Sequence, residues 1–84
     1  MRGVWTMRKS WDYQFMQRTR SAAPPVDEIM ALLPAGVTAS QYHQSGGATV
    51  LRLSAEATWT TAQLTAALND TMPHNYSVRR LRTL

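Results

Sequence analysis

The groups that could do chemistry in this chain are few: two histidines, His43 and His74, and five carboxylates, Asp12, Asp27, Glu28, Glu56 and Asp70, with no cysteine in 84 residues. Without a thiol there is neither a disulfide framework nor a thiolate zinc site. No Ser-His-Asp arrangement, glycine-rich phosphate loop or His/acid metal spacing accompanies the histidines. Asp27 and Glu28 follow Pro25, where they complement the positive end of a helix dipole. Asp70 closes a second helical pattern, and Asp12 stands among aromatic residues with no second carboxylate beside it. This inventory names no catalytic residue, no metal ligand and no cofactor, and it favours binding over catalysis.

The cations say more. Residues 1–20 carry Arg2, Arg8, Lys9, Arg18 and Arg20 against Asp12 alone, and the C-terminal stretch carries Arg79, Arg80 and Arg82 with no acid. Only Arg52 lies between them, so the positive charge behind a net +4 is gathered at the two ends. That distribution bears on partners rather than on fold. The length allows one small domain, burying about 60% of its unfolded surface. An apolar content of 44% against 17% charged residues is that of a folded chain. No run of ~18 apolar residues is present to span a membrane. Arg2 is not followed by a secretory apolar block, so a cytoplasmic protein is expected.

The elements that must position these charges follow from periodicity. Trp11, Tyr13 and Phe15 alternate with polar residues, which predicts a strand, β1, over Trp11–Arg18 with one buried aromatic face. Residues 1–10 read as a flexible basic arm or a strand extension ahead of a single domain over 11–84, with Trp5 the tryptophan expected either to meet a partner or to fold back onto the sheet, and Trp11 and Trp59 expected to be internal. Pro25 suits a first helical turn. Val26, Ile29, Met30 and Leu33 share one helical face, which predicts α1 over about two and a half turns, stopped by Pro34. A polar edge strand, β2, is expected over Val37–Gln44, then a glycine turn at Gly46-Gly47, then a more apolar β3 over Ala48–Ser54 with Arg52 opposed to Leu51 and Leu53. Thr60 and Gln63 have the spacing of a capping box, and Trp59 and Leu64 that of a hydrophobic staple, so α2 starts there and ends before Pro73. Tyr76–Thr83 reads as β4.

The order β-α-β-β-α-β predicts an α+β, ferredoxin-like sandwich: a four-stranded antiparallel sheet ordered 4-1-3-2 with two helices on one face. Pairing of β1 with β4 would bring Arg8, Lys9, Arg18, Arg20, Arg79, Arg80 and Arg82 into one basic flank, joined by Arg52, with Trp5, Met16 and Tyr76 nearby. A flank of that kind meets phosphates, so the expected function is a small basic accessory module contacting nucleic acid. The RNA-recognition motif shares the element order, but its basic-Gly-aromatic-Gly-aromatic signature has no counterpart in Ala-Thr-Val-Leu-Arg-Leu-Ser of β3, so base reading by that mode is not expected. The alternative is a protein-interaction or inhibitory module whose open sheet face, with Gln14, Met16, Val50 and Arg52, covers an acidic protein or a second copy of the chain. A more remote alternative is a metal-dependent endoribonuclease, since some small ferredoxin-like nucleases, often dimeric, hold a metal with an acid near their first strand.

Overall fold

The structure, a computed structural model, describes residues 7–84. Its elements run β1 (Arg8–Gln17), α1 (Val26–Ala31), β2 (Thr38–Ser45), β3 (Ala48–Glu56), α2 (Thr61–Thr71) and β4 (Tyr76–Thr83). The strands form one antiparallel sheet in the order β2-β3-β1-β4, which is 4-1-3-2 read from the other edge. Among the described residues no helix is long and apolar enough to cross a membrane.

Alternation along β1 sets the two faces. Trp11, Tyr13 and Phe15 are fully buried on one side and pair in register with Leu53, Leu51 and Thr49 of β3. Ile29 from α1 and Leu64 and Leu68 from α2 join the same cluster, so both helices cover that one face. The aromatic polar atoms are satisfied from α2: the Trp11 indole Nε1–H donates to Thr61 Oγ1 at 3.0 Å, and the Tyr13 hydroxyl shares a 2.6 Å hydrogen bond with Thr65 Oγ1. A buried indole or phenol left unpaired would cost about 1–3 kcal/mol. The start of α2 carries both halves of the capping box, Gln63 N–H to Thr60 Oγ1 at 3.1 Å and Thr60 N–H to Gln63 Oε1 at 3.0 Å.

Three expectations are corrected. β1 begins at Arg8, so residues 8–10 belong to the sheet and not to an arm: β3 continues to Glu56 and gives Arg8, Lys9 and Ser10 partners in Glu56, Ala55 and Ser54. Residues 1–6, including Arg2 and Trp5, lie outside the described residues. α1 is six residues and not two and a half turns, because Leu32 N–H bonds back to the Ile29 carbonyl at 3.0 Å, tightening the last turn, and Pro34 disfavours helical backbone at Leu33. Met30 is therefore 46% exposed, and Pro25 is an extended N-cap with ψ 131° rather than a first-turn residue.

The connector ahead of α1 is clamped to the β2–β3 hairpin. The buried Thr49 hydroxyl donates to the Pro24 carbonyl at 2.6 Å, and Gln44 Nε2 reaches the same carbonyl at 3.0 Å. Gly46 (φ 58°) and Gly47 (φ 82°) form the two-residue turn, and a Cβ on Gly47 would collide with the Ser21 backbone carbonyl, whereas one on Gly46 would meet open space. Gly47→Ala is expected to lower unfolding free energy by about 2–3 kcal/mol and Gly46→Ala by only about 1 kcal/mol, measured by urea unfolding; equal effects would show that the Ser21 contact is unimportant.

Candidate functional site

The face of the sheet away from the helices carries the even-numbered residues of β1 and β3: Asp12 opposite Arg52, Gln14 opposite Val50, Ser10 opposite Ser54. Asp12 is the notable member, a carboxylate residue only 7% exposed on a strand that is central to the sheet. Its Oδ1 accepts from Arg52 Nε at 3.0 Å, and its Oδ2 accepts from Arg52 Nη2 at 3.3 Å and from Arg82 Nε at 2.7 Å. The hydrogen bonds from Arg52 hold the Asp12 carboxyl below the usual carboxylate range against the opposing effect of burial, and Arg82 adds to the shift. In turn, Asp12 raises the guanidinium of Arg52.

Arg82 reaches that position through an irregularity in β4. Tyr76 and Val78 face the helices, and uninterrupted alternation would send Arg82 the same way. The register instead slips by one: Tyr13 pairs with Arg80 and Asp12 with Arg82, leaving Leu81 as the extra residue of a bulge. A second slip occurs on the opposite edge, where Ala39 pairs with Leu53 and Gln41 with Arg52, leaving Ser40 unpaired and turning Gln41 and His43 onto the open face. One row across the sheet then reads Gln41, Arg52, Asp12, Arg82, with a bulge beside it on each edge strand. A depression of about 210 Å³ over this row is lined by Asp12, Gln41, Tyr42, His43, Val50, Arg52 and Arg82.

The other cations divide between the faces. Arg8 lies on the open face, its Nε donating to Ser54 Oγ at 3.0 Å, and Arg79 lies there opposite Gln14, with Met16 exposed at the far end of the strand. Lys9 and Arg80 turn to the helix-bearing side, where Lys9 Nζ donates to the Trp59 carbonyl at 3.3 Å and Arg80 sits opposite Tyr13. Arg18 and Arg20 fall beyond the end of β1; Arg18 N–H bonds the Asn75 carbonyl at 2.6 Å, and Arg20 borders a hollow with Glu28 and Tyr76. The single flank expected from the pairing of β1 and β4 is thus split, because neighbouring strand residues point to opposite sides. Tyr76 is no stacking platform: it is buried, and its hydroxyl donates to Glu28 Oε1 at 2.9 Å, with burial pushing its ionisation upward.

Sequence reasoning missed Gln41 and His43 as site residues. Thr38–Gln44 holds no alternation of large apolar residues whose break would reveal the bulge at Ser40. For Arg82 a signal existed: Leu81 is out of phase with Tyr76 and Val78. As to chemistry, both oxygens of Asp12 are occupied and two guanidinium charges adjoin it, which repels a divalent cation. No group of three His, Asp or Glu side chains fit to hold a metal occurs among the described residues. Comparison with protein-family models, with curated proteins and with solved structures found no match.

A carboxyl held below its unfolded value of 3.8 contributes stability that is present above that value and lost as pH falls through the lower, folded one. Asp12→Asn is expected to cost about 1–3 kcal/mol at neutral pH by urea unfolding, as for a lost charged hydrogen bond. The gap to the parent protein should begin to shrink below pH 3.8, where the unfolded parent takes up the proton, and close as pH falls through the lower folded value. A gap that stayed constant down to pH 2 would refute the linkage.

Proposed function

We propose that the protein is a small ferredoxin-like module that binds nucleic acid by its phosphates through the open sheet face. The observation that carries this reading is a positive surplus on the open face. Arg8, Arg52, Arg79 and Arg82 stand there against Asp12 and Glu56. The helix-bearing side is nearer balance, with Asp27, Glu28 and Asp70 on the helices and Lys9 and Arg80 turned towards them. An anionic polymer is drawn to the open face of such a molecule. Among the described residues β1, β3 and β4 place no aromatic side chain on the open face and β2 places His43 there, so contact rests chiefly on the backbone. The absence of cysteine accords with action in a reducing compartment such as the cytoplasm.

Four open-face guanidiniums against Asp12 and Glu56, the latter opposite Arg8, leave about two charges to neutralise phosphates. Binding of a single-stranded oligonucleotide should then give a slope of about −1.5 in log K against log salt. The double substitution Arg8→Ala and Arg79→Ala should reduce that slope by more than half, while Lys9→Ala and Arg80→Ala leave it nearly unchanged. Fluorescence anisotropy over a salt series measures both. Absent binding at low salt, or binding insensitive to salt, would remove the proposal; selective binding of an acidic protein instead would favour the interaction-module reading.

A second reading has its own observation. β2 is an edge strand without a single charged residue, whereas β4 at the other edge bears three arginines that discourage strand pairing. Because α1 is short, Tyr42 on the helix-bearing side of β2 remains 62% exposed. This edge suits antiparallel pairing with β2 of a second copy, which extends the sheet across a two-fold axis. Sedimentation velocity at rising concentration should show dimers that Tyr42→Lys abolishes and Leu81→Lys does not. A monomer at millimolar concentration would end this reading.

A further inference from the structure

We infer that the depression over the row Gln41, Arg52, Asp12, Arg82 is a site for a single phosphate group; this rests on the nucleic-acid reading for the source of the phosphate but not for the chemistry of the site. Two guanidiniums share one carboxylate, so one positive charge remains unpaired at the floor of the depression. Neutralising a lone carboxylate needs only the bidentate Arg52, and the second arginine is present only because β4 slips its register at Leu81. Arg52 spends Nε and Nη2 on Asp12, and Arg82 spends Nε alone. Among the described residues, Nη1 of Arg52 and both Nη atoms of Arg82 have no carboxylate partner. The Arg52 side chain is 31% exposed and that of Arg82 is 63% exposed, so these donors are reachable from solvent.

The far wall is built by the other bulge. Through the slip at Ser40, Gln41 comes opposite Arg52 and His43 comes opposite Val50, both on the open face. Donors therefore approach from the β4 side, from the floor and from the β2 side, which suits a tetrahedral anion with several acceptor oxygens better than a planar carboxylate. The depression of about 210 Å³ has room for one phosphate with part of its hydration shell. Asp12 is a positioning residue: by fixing the Nε edges of both arginines it aims their remaining donors outward, so little side-chain order is lost on binding.

The test is a ¹⁵N NMR titration of the full chain at low ionic strength with inorganic phosphate, adenosine 5′-monophosphate and adenosine. Phosphate and the monophosphate should shift the Arg52 Nε–H, Gln41 and His43 signals saturably, and adenosine should not. Arg82→Ala, which leaves Asp12 paired with Arg52, should weaken phosphate binding about five- to tenfold, and Arg80→Ala should leave it within twofold. Equal response to adenosine, no saturable shift at these residues, or equal loss from Arg80→Ala would overturn the inference. A salt-dependent oligonucleotide complex without any phosphate response at the pocket would overturn the pocket and spare the nucleic-acid reading. A phosphate response without oligonucleotide binding would do the reverse, and assign the site to a free phosphate compound.

Discussion

A carboxylate nearly stripped of water in a central strand is the constraint on which the open face depends. Asp12 could not stay ionised there without partners, since an unpaired buried charge costs several kcal/mol. Its two oxygens take three guanidinium hydrogen bonds, one arginine from the neighbouring strand on each side. The arrangement links β3, β1 and β4 across the solvent side of the sheet, just as Trp11, Tyr13 and Phe15 link them on the helix side. A single strand, alternating aromatic and polar residues, thereby serves both layers.

The bulges belong to the same account. Each adds one residue beside the row that contains Asp12, and each returns side chains to the open face that plain alternation would have sent elsewhere. Edge strands tolerate the lost ladder hydrogen bond because the extra residue can turn to water. Ser40 and Leu81, the two extra residues, are both exposed. The central strands β1 and β3 pair with each other without a slip, so the floor of the depression is regular and only its walls are adjusted.

Much of this was legible in the sequence, and for reasons that can be named. The period of two through Trp11, Tyr13 and Phe15 survives because each side chain is buried against Leu53, Leu51 or Thr49. The start of α2 was written in Thr60 and Gln63, whose side chains satisfy backbone N–H groups whatever the tertiary context. The opposed direction of Arg52 followed from its flanking leucines. What could not be read was which arginines share a face. A register slip of one residue reverses the side of everything beyond it, and β2 has too few apolar residues to reveal where its slip falls. The apolar stripe overstates the length of α1, because Leu33 continues it although Pro34 removes the helical backbone beneath.

The account stands on Asp12 holding Arg82 as well as Arg52, since that contact draws β4 into the row and leaves the surplus charge over the depression. A double-mutant cycle with Asp12→Asn and Arg82→Gln, followed by urea unfolding at neutral pH, measures the contact directly. A coupling free energy of about 1 kcal/mol or more is expected. Additivity within about 0.3 kcal/mol would mean that Arg82 is an independent solvated charge and that the row does not exist as described.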